Sequence, residues 1–299
     1  IRIRVLGAGL NFPDLLCIQG KYQVKPELPF TPGAEASGII EACGPDCQIF
    51  KEGNRVMGIA SHGAFAEEML IEEKQAYQVP ENFPVEHAAG FLMTHQTSYF
   101  ALVHRAALRP GETLLVHGGS GGVGTTAIQI GKALGARVFA TAGTDEKLEI
   151  CRQCGADEVL NYEKEDFTLA VKEWTAGKGA DVIYDPVGGE VLERSTKCIA
   201  WEGRLLVIGF AGGTIPKIAA NRILLKNISV IGLYWGNYMM HNPTLIRETQ
   251  QRLYALYEKG KIKPVIHQAS QMDQLQHSLE LLSRRKIQGK LVLVNSDSG

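Results

Sequence analysis

Between residues 113 and 231, short apolar strands alternate regularly with amphipathic helical segments. Each apolar run is followed by a stretch in which apolar residues recur at helical spacing. This alternation predicts βαβ units in a parallel, doubly wound sheet, and hence an α/β fold. The predicted strands are 113–116, 137–140, 158–160, 181–184, 204–208 and 229–231, and the predicted helices are 125–134, 145–154, 167–174 and 191–198.

Residues 1–96 have a different pattern, with short apolar runs that Gly and Pro interrupt. Such punctuation predicts an irregular β domain. After residue 236 the pattern indicates two helices and a last strand, at 243–259, 272–284 and 290–294. We therefore predict a β-rich domain and an α/β domain, which comprise 1–96 with 238–299 and 97–237.

The composition is that of a globular protein with little net charge. The chain has 299 residues, 45% of them hydrophobic, and its formal net charge is −1. This balance provides no attraction to nucleic acid or anionic membranes, and no apolar run has the length of a membrane span. The chain begins in a predicted strand without Met, so we expect a preceding segment to be missing. The expected location is the cytoplasm, or the mitochondrion if that segment is a targeting signal.

The six cysteines show no paired spacing of a disulfide framework, which favours a reducing compartment. Cys151 and Cys154 have thioredoxin-like spacing, but they lie in a predicted helix and are expected to be buried structural thiols. Cys43 and Cys47 flank a Gly-Pro turn, and no second cysteine pair completes a zinc knuckle. We therefore predict no structural metal.

A glycine-rich run follows the first strand of the α/β region and opens its first helix. Gly119, Gly121 and Gly124 have the spacing of a dinucleotide-binding loop. Small residues let backbone N–H groups approach a pyrophosphate, and the helix N-terminus adds a favourable dipole. A glycine-rich turn without a ligand is the alternative. The residues predicted to bind the cofactor here are Ser120, Gly121, Gly122, Val123 and Gly124.

The end of the second strand predicts which dinucleotide binds. A NAD site usually has Asp or Glu there, bonded to the ribose 2′-hydroxyl, whereas this chain has Thr141 and Ala142. Lys147, at the start of the next helix, would attract a 2′-phosphate, and a solvated helix residue is its alternative role. With Gly143 and Tyr162 at neighbouring strand ends, these residues favour NADPH over NADH.

Two further loops follow buried strands, at the edge of the sheet where ligands of such folds bind. The first contains Val187 and Gly188, and the second contains Gly209 and Phe210. Small residues in both loops allow close approach of a cofactor, so we predict that all four bind it. Lys290, near the last strand, either contacts a phosphate or is solvated.

Several further sequence motifs occur along the chain in a defined order. The strongest block runs from Gly111 through the glycine loop to Gln129 and Lys132, and it is supported by motifs at 11–14, 32–38, 53–56 and 185–189. In the order and spacing of these motifs, the whole chain resembles the quinone oxidoreductase, or zeta-crystallin-like, branch of the medium-chain dehydrogenase/reductase superfamily. The resemblance implies a GroES-like irregular β-barrel domain and a Rossmann domain that binds NADPH.

The resemblance also bears on the metal and on the acceptor. Zinc alcohol dehydrogenases of this superfamily hold catalytic zinc through a Cys and a His near the positions of Asn11 and Ala34. An amide and a methyl group are poor zinc ligands, so the resemblance implies the zinc-free branch and no metal ligand is predicted. Relatives place Asn11 and Tyr22 near the nicotinamide and acceptor, and both are predicted as catalytic. A turn-forming amide and a half-buried loop tyrosine are the alternatives.

We therefore expect an NADPH:quinone oxidoreductase-like enzyme that transfers hydride to quinones or other electron-poor conjugated carbonyl acceptors without metal. A 2-enoyl thioester reductase is the nearest alternative. A crystallin-like or RNA-binding protein is a further one, which the lack of a basic, aromatic-interleaved patch disfavours. Relatives pair the Rossmann edge strand, here 229–231, between subunits, so a homodimer or homotetramer is expected.

Overall fold

The structure, a computed structural model, describes residues 1–295. It divides into two compact units: a central unit, His95–Lys263, and a flanking unit formed by Ile1–Thr94 with the chain from Pro264 onward. The chain thus divides after 94 and 263, whereas the sequence pattern predicted divisions after 96 and 237.

Strands and helices alternate in the central unit, whereas the flanking unit consists mostly of strands. In chain order the strands are β1 Arg2–Gly9, β2 Glu35–Ala42, β3 Arg55–Ile59, β4 Glu68–Leu70, β5 Ala76–Gln78, β6 Thr113–Val116, β7 Arg137–Ala142, β8 Glu158–Asn161, β9 Ala180–Asp185, β10 Ile199–Val207, β11 Ser229–Gly232, β12 Ile266–Gln271 and β13 Lys290–Val294. The α-helices are α1 Phe12–Ile18, α2 Val85–Ala89, α3 Leu92–Tyr99, α4 Gly122–Ala133, α5 Asp145–Gln153, α6 Phe167–Trp174, α7 Gly189–Cys198, α8 Ala220–Lys226, α9 Tyr238–His241, α10 Pro243–Glu258 and α11 Leu275–Ser283.

The flanking unit is built on a seven-stranded sheet. Its order is β12–β13–β1–β2–β3–β5, and β4 pairs with β1. The pairs are antiparallel except for β12 with β13. Alternate side chains of neighbouring strands form its core, among them Ile3, Val5, Ile40, Val56 and Leu293. This period of two is what short, half-buried strands require.

The central unit is the predicted doubly wound sheet. Its six strands are all parallel, in the order β11–β10–β9–β6–β7–β8. Leu115, Phe139 and Ile183 on the inner strands are fully buried, as expected for strands that helices cover on both faces. On α4, a Cβ at Gly131 would lie 2.6 Å from Leu114, so this glycine lets the helix pack closely on β6.

Helix α10 corrects the predicted domain membership of residues 238–263. The predicted helix is present, but it belongs to the central unit. The Gln96 side chain donates to Gln250 Oε1 at 2.8 Å and to the Ile246 carbonyl at 3.1 Å. The His104 ring lies 3.1 Å from Thr249 Oγ1. These buried polar contacts hold α10 within the central unit, and sequence periodicity alone does not reveal them.

Candidate cofactor and active site

The glycine loop presents the first turn of α4 without a side-chain cap. Gly121 is the N-cap residue, with extended backbone (φ −79°, ψ 171°), and as a glycine it provides no side-chain cap. Gly121, Gly122 and Val123 are partly exposed, whereas Ser120 is buried. The first backbone N–H groups of a helix lack intrahelical acceptors, so this turn offers donors to an anion.

Two of the loop glycines are required by packing. A Cβ at Gly124 would lie 2.2 Å from the Gly118 carbonyl oxygen. A Cβ at Gly119 would lie 2.8 Å from Cys151 Sγ. At Gly121, by contrast, a Cβ would meet only the Gly118 oxygen, at 3.4 Å. The fingerprint therefore combines two positions that close the turn with one that faces open space.

Several predicted residues meet at the carboxyl ends of β6, β7, β8 and β9. Thr141, Tyr162 and Val187 line one small apolar slot together with His117, Gly118, Phe167 and Val191. Gly143 allows Tyr162 to lie across the end of β7, because a Cβ there would approach the phenol oxygen to 2.8 Å. Tyr162 itself is 40% exposed. Three of the residues predicted to bind the cofactor, Thr141, Tyr162 and Val187, thus lie together.

Charged residues follow the end of β7 in the first turn of α5. Lys147 lies in the first turn of α5, where its N–H donates to the N-cap Thr144. The neighbouring Asp145 is paired with Lys164 at 2.7 Å and accepts from Asn161 at 3.0 Å. These two partners lower the pKa of Asp145. Asp145 is therefore compensated by Lys164, and the other charges of this turn are Glu146 and Lys147.

His117 lines the slot and connects its neighbours through hydrogen bonds. It is buried, and its two ring nitrogens are each hydrogen-bonded at 2.9 Å, one to Thr141 Oγ1 and the other to Ser195 Oγ. Burial lowers the pKa of His117 to about 3, and the charge of Arg194 acts in the same direction. The imidazole is therefore neutral at physiological pH, and it links β6, β7 and α7 structurally.

Asp185 fixes the loop that carries Val187 and Gly188. Its Oδ1 accepts from the N–H groups of Val187 at 2.6 Å and Gly188 at 2.9 Å. Burial raises the pKa of Asp185 to about 6, although these two bonds oppose the shift. Gly188 has φ +75°, and a Cβ there would lie 2.8 Å from the Phe210 ring. Val187, Gly188 and Phe210 thus belong to one loop cluster, which Gly209 joins.

In the flanking unit, Asn11 is part of a buried polar network. Lys290 Nζ donates to Asn11 Oδ1 at 2.6 Å, to the Leu10 carbonyl at 2.8 Å and to Glu35 Oε2 at 3.2 Å. Asn11 Nδ2 donates to the Gly9 carbonyl at 3.1 Å and to Glu35 Oε2 at 2.9 Å. Both amide hydrogens of Asn11 are thus engaged, so donation to an acceptor oxygen requires one of these bonds to break.

The position of Lys290 corrects both roles considered for it. Its side chain is buried and pairs with Glu35, so it is neither solvated nor exposed for a phosphate. Asp14 borders the same network and accepts from the Asn11 N–H at 2.8 Å. Burial raises the pKa of Asp14 to about 7, which the Asn11 bond and the Lys290 charge oppose.

Tyr22 lies in the loop that follows α1, half-buried, with its N–H donating to the Leu16 carbonyl at 3.2 Å. The predicted site residues thus form two sets. One set, in the central unit, surrounds the glycine loop; the other, Asn11 and Tyr22, belongs to the flanking unit. Sequence reasoning assigned no role to His117, Asp185 or Glu35. The signal for His117 and Asp185 is a polar residue at the end of an apolar strand, whereas Glu35 opens strand β2.

Two features of residues 1–295 bear on the class of site. No helix in this range combines the length and apolarity needed to span a membrane. No group of three or more His, Cys, Asp or Glu side chains in the range is arranged to hold a metal ion.

Comparison with known proteins identifies the family. The profile of the "Alcohol dehydrogenase GroES-like domain" matches residues 1–81, and that of the "Zinc-binding dehydrogenase" family matches residues 122–259. Quinone oxidoreductase-like protein 2 of Bos taurus is 37% identical over 294 residues, which cover 98% of this chain and 84% of that protein. The chain belongs to the quinone oxidoreductase family. The predicted superfamily and the predicted fold class are thereby confirmed.

Solved structures of this family and its neighbours share the fold. The Escherichia coli quinone oxidoreductase complexed with NADPH is 30% identical, with a TM-score of 0.91 over 98% of this chain and 91% of that chain. CurK enoyl reductase is 26% identical, with a TM-score of 0.89 over 99% of this chain and 90% of that chain. The chain is an oxidoreductase of the medium-chain superfamily.

Proposed function

We propose that this protein is an NADPH-dependent reductase that transfers hydride to quinones or other electron-poor conjugated carbonyl acceptors without metal. The observation that carries the proposal is the uncapped first turn of α4 beside an uncharged end of β7. Lys147 lies in the first turn of α5, which follows β7, and Tyr162 directly follows the neighbouring strand β8. The NADPH complex of the Escherichia coli quinone oxidoreductase supports the same cofactor here.

In this proposal, different residues of the chain bind different parts of NADPH. The amides of Gly122 and Val123 hold the pyrophosphate, and Lys147 pairs with the 2′-phosphate. The cluster around Gly188 and Phe210 orients the nicotinamide, which supplies a hydride when NADPH is bound. The neutral end of β7 matters because an Asp or Glu there would repel a 2′-phosphate.

The acceptor oxygen gains negative charge as it receives the hydride. The Tyr22 phenol is the proposed donor to that oxygen, and it also supplies the proton. Asn11 acts as a positioning residue through its bonds to Glu35 and Lys290. The metal-free proposal rests on Asn11 and Ala34, which are poor zinc ligands, and on the Lys290 ammonium bonded to the Asn11 oxygen.

Oxidation of NADPH by a panel of quinones, enones and enoyl thioesters tests the proposal. We expect turnover with quinones or enones, and a lower KM for NADPH than for NADH. Lys147→Ala should raise the KM for NADPH by about tenfold to a hundredfold and leave that for NADH unchanged, because a charge-assisted contact is lost. Equal use of NADH and NADPH by the parent would contradict the cofactor assignment.

Tyr22→Phe tests the catalytic donor separately. We expect kcat to fall by about a hundredfold or more, as for loss of a general acid, with unchanged NADPH affinity. An unchanged kcat would make Tyr22 structural. Reduction of enoyl thioesters in preference to quinones would instead favour the enoyl reductase alternative, which the likeness to CurK enoyl reductase supports.

A further inference from the structure

Two thiols lie together in the turn between β2 and β3. Cys43 and Cys47 are both half-buried. Their Sγ atoms share one acceptor, the Phe50 carbonyl oxygen, at 3.8 Å for Cys43 and 3.4 Å for Cys47. The Cys47 side chain also hydrogen-bonds that of Cys43. The two sulfur atoms are therefore neighbours on one side of a single turn.

Glu73 makes the two thiols chemically unequal. Its Oε1 accepts from Cys47 Sγ at 3.0 Å, and also from the N–H groups of Gln48 at 2.9 Å and Phe50 at 3.2 Å. The Ile49 N–H donates to the same oxygen. These four bonds, led by those from Cys47 and Ile49, lower the pKa of Glu73 to about 2. The ionised carboxylate in turn raises the pKa of the Cys47 thiol, as the largest of several causes. Cys47 is thus held as the thiol.

We propose that Cys43 and Cys47 form a reactive dithiol that small-molecule disulfides oxidise to an intramolecular disulfide, with Cys43 as the attacking sulfur and Cys47 as the resolving one. The Cys43 thiolate attacks one sulfur of oxidised glutathione, whose S–S bond breaks and releases one glutathione thiolate. Cys47 then loses its proton to water and attacks the Cys43 sulfur, releasing the second glutathione. Two protein thiols lose two electrons and two protons, and one glutathione disulfide becomes two thiols.

The remaining cysteines provide a contrast. Cys151, Cys154 and Cys198 are buried, and burial raises their thiol pKa values to about 12, 11 and 12. Thiols of this kind are inert towards exchange. Cys17 is half-buried and donates to the Val24 carbonyl at 3.7 Å. A Cys17→Ser background removes it, and the reaction is then confined to the turn.

The test is reaction of the folded protein with oxidised glutathione, followed by acid quenching and mass spectrometry of the peptide that contains the turn. In the Cys17→Ser background we expect loss of two hydrogens without an adduct. With Cys47→Ser added, the reaction should stop at a glutathione adduct on Cys43. With Cys43→Ser added instead, adduct formation on Cys47 should be at least about tenfold slower, because the Glu73 carboxylate keeps Cys47 as the thiol.

A matched variant tests the role of Glu73. Glu73→Gln keeps an acceptor for the loop amides but removes the charge beside Cys47. Added to the Cys43→Ser protein, it should restore much of the lost rate at Cys47. Equal rates at Cys43 and Cys47 in the two serine variants would overturn the assigned order. Separate adducts on both cysteines, with no intramolecular disulfide, would overturn the dithiol itself.

Discussion

At the scale of single residues, Lys290 places a positive charge beside the buried carboxylate of Glu35. Its ammonium and the Asn11 amide both bind Glu35 Oε2, while the Met93 N–H binds Oε1. Glu35 is fully buried. A buried ion pair is weak evidence for stability, since two well-packed apolar residues often do as well. Removal of one partner is different, because it leaves the other charge buried and uncompensated.

We therefore expect Lys290→Met to lower the free energy of unfolding by about 3–5 kcal/mol. Urea unfolding followed by circular dichroism measures the change. Lys290→Met combined with Glu35→Gln is the control, because it removes both charges at similar volume and should recover most of the loss. If the single and double variants are equally stable, the Glu35 charge is not what the lysine compensates.

Asp185 gives a prediction for pH dependence. Its folded-state pKa of about 6 lies above the ordinary 3.8, so the folded protein binds the proton more tightly than the unfolded chain. Its contribution to stability is fully present below about pH 4 and is lost as the pH rises through 6. Asp185→Asn keeps an oxygen for Val187 and Gly188 and removes the titration. Between pH 4 and 8, the free energy of unfolding of the parent should fall by up to about 3 kcal/mol more than that of the Asp185→Asn variant. Parallel pH profiles would contradict this.

At the scale of elements, the sequence predicts structure best where one local signal dominates. Strands β6 and β13 and helix α6 have their predicted bounds, and Asp166 caps α6 by accepting from Thr168. Strand β10 begins at 199 rather than 204, because a register irregularity precedes Arg204 and Glu202 has φ +56°. That bulge interrupts the alternation on which the prediction rests.

In the candidate site, too, the sequence predicts best what a local signal determines. The glycine loop and the neutral end of β7 are local patterns and are visible in the sequence. The Lys290–Glu35 contact joins residues 255 positions apart, and the pairing of Asp185 Oδ1 with two amides depends on the exact path of a loop. Local periodicity carries no information about either, so Lys290 could not be placed from the sequence.

Helix α4 provides a prediction at this scale. We expect Gly124→Ala to destabilise the protein by about 1–3 kcal/mol and to weaken NADPH binding, because its Cβ would meet backbone atoms of the preceding turn at 2.2–2.9 Å. Gly121→Ala is the matched control for stability without NADPH, because its backbone is extended and its Cβ meets one protein atom at 3.4 Å. Thermal unfolding with and without NADPH measures both effects. Equal losses in the two variants would show that packing at Gly124 is not the cause.

For the whole molecule, the open edge of the central sheet is the feature that concerns assembly. Strand β11 ends the strand order, and within residues 1–295 it pairs only with β10. Val230 on β11 is 36% exposed, and Leu224 and Leu225 on the adjoining α8 are 75% and 71% exposed. An uncovered edge with apolar neighbours invites pairing with another chain. We propose a second copy of this chain as that partner.

Val230→Lys should weaken this self-association, because each interface would then bury an ammonium group against its symmetry mate. We expect the dissociation constant, measured by sedimentation, to rise at least about tenfold. Leu169→Lys is the matched control: Leu169 is 67% exposed and lies on α6, which packs on β8 at the opposite edge of the sheet. It should leave the dissociation constant unchanged. A parent that sediments as a monomer, or equal effects of the two lysines, would show that β11 is not the interface.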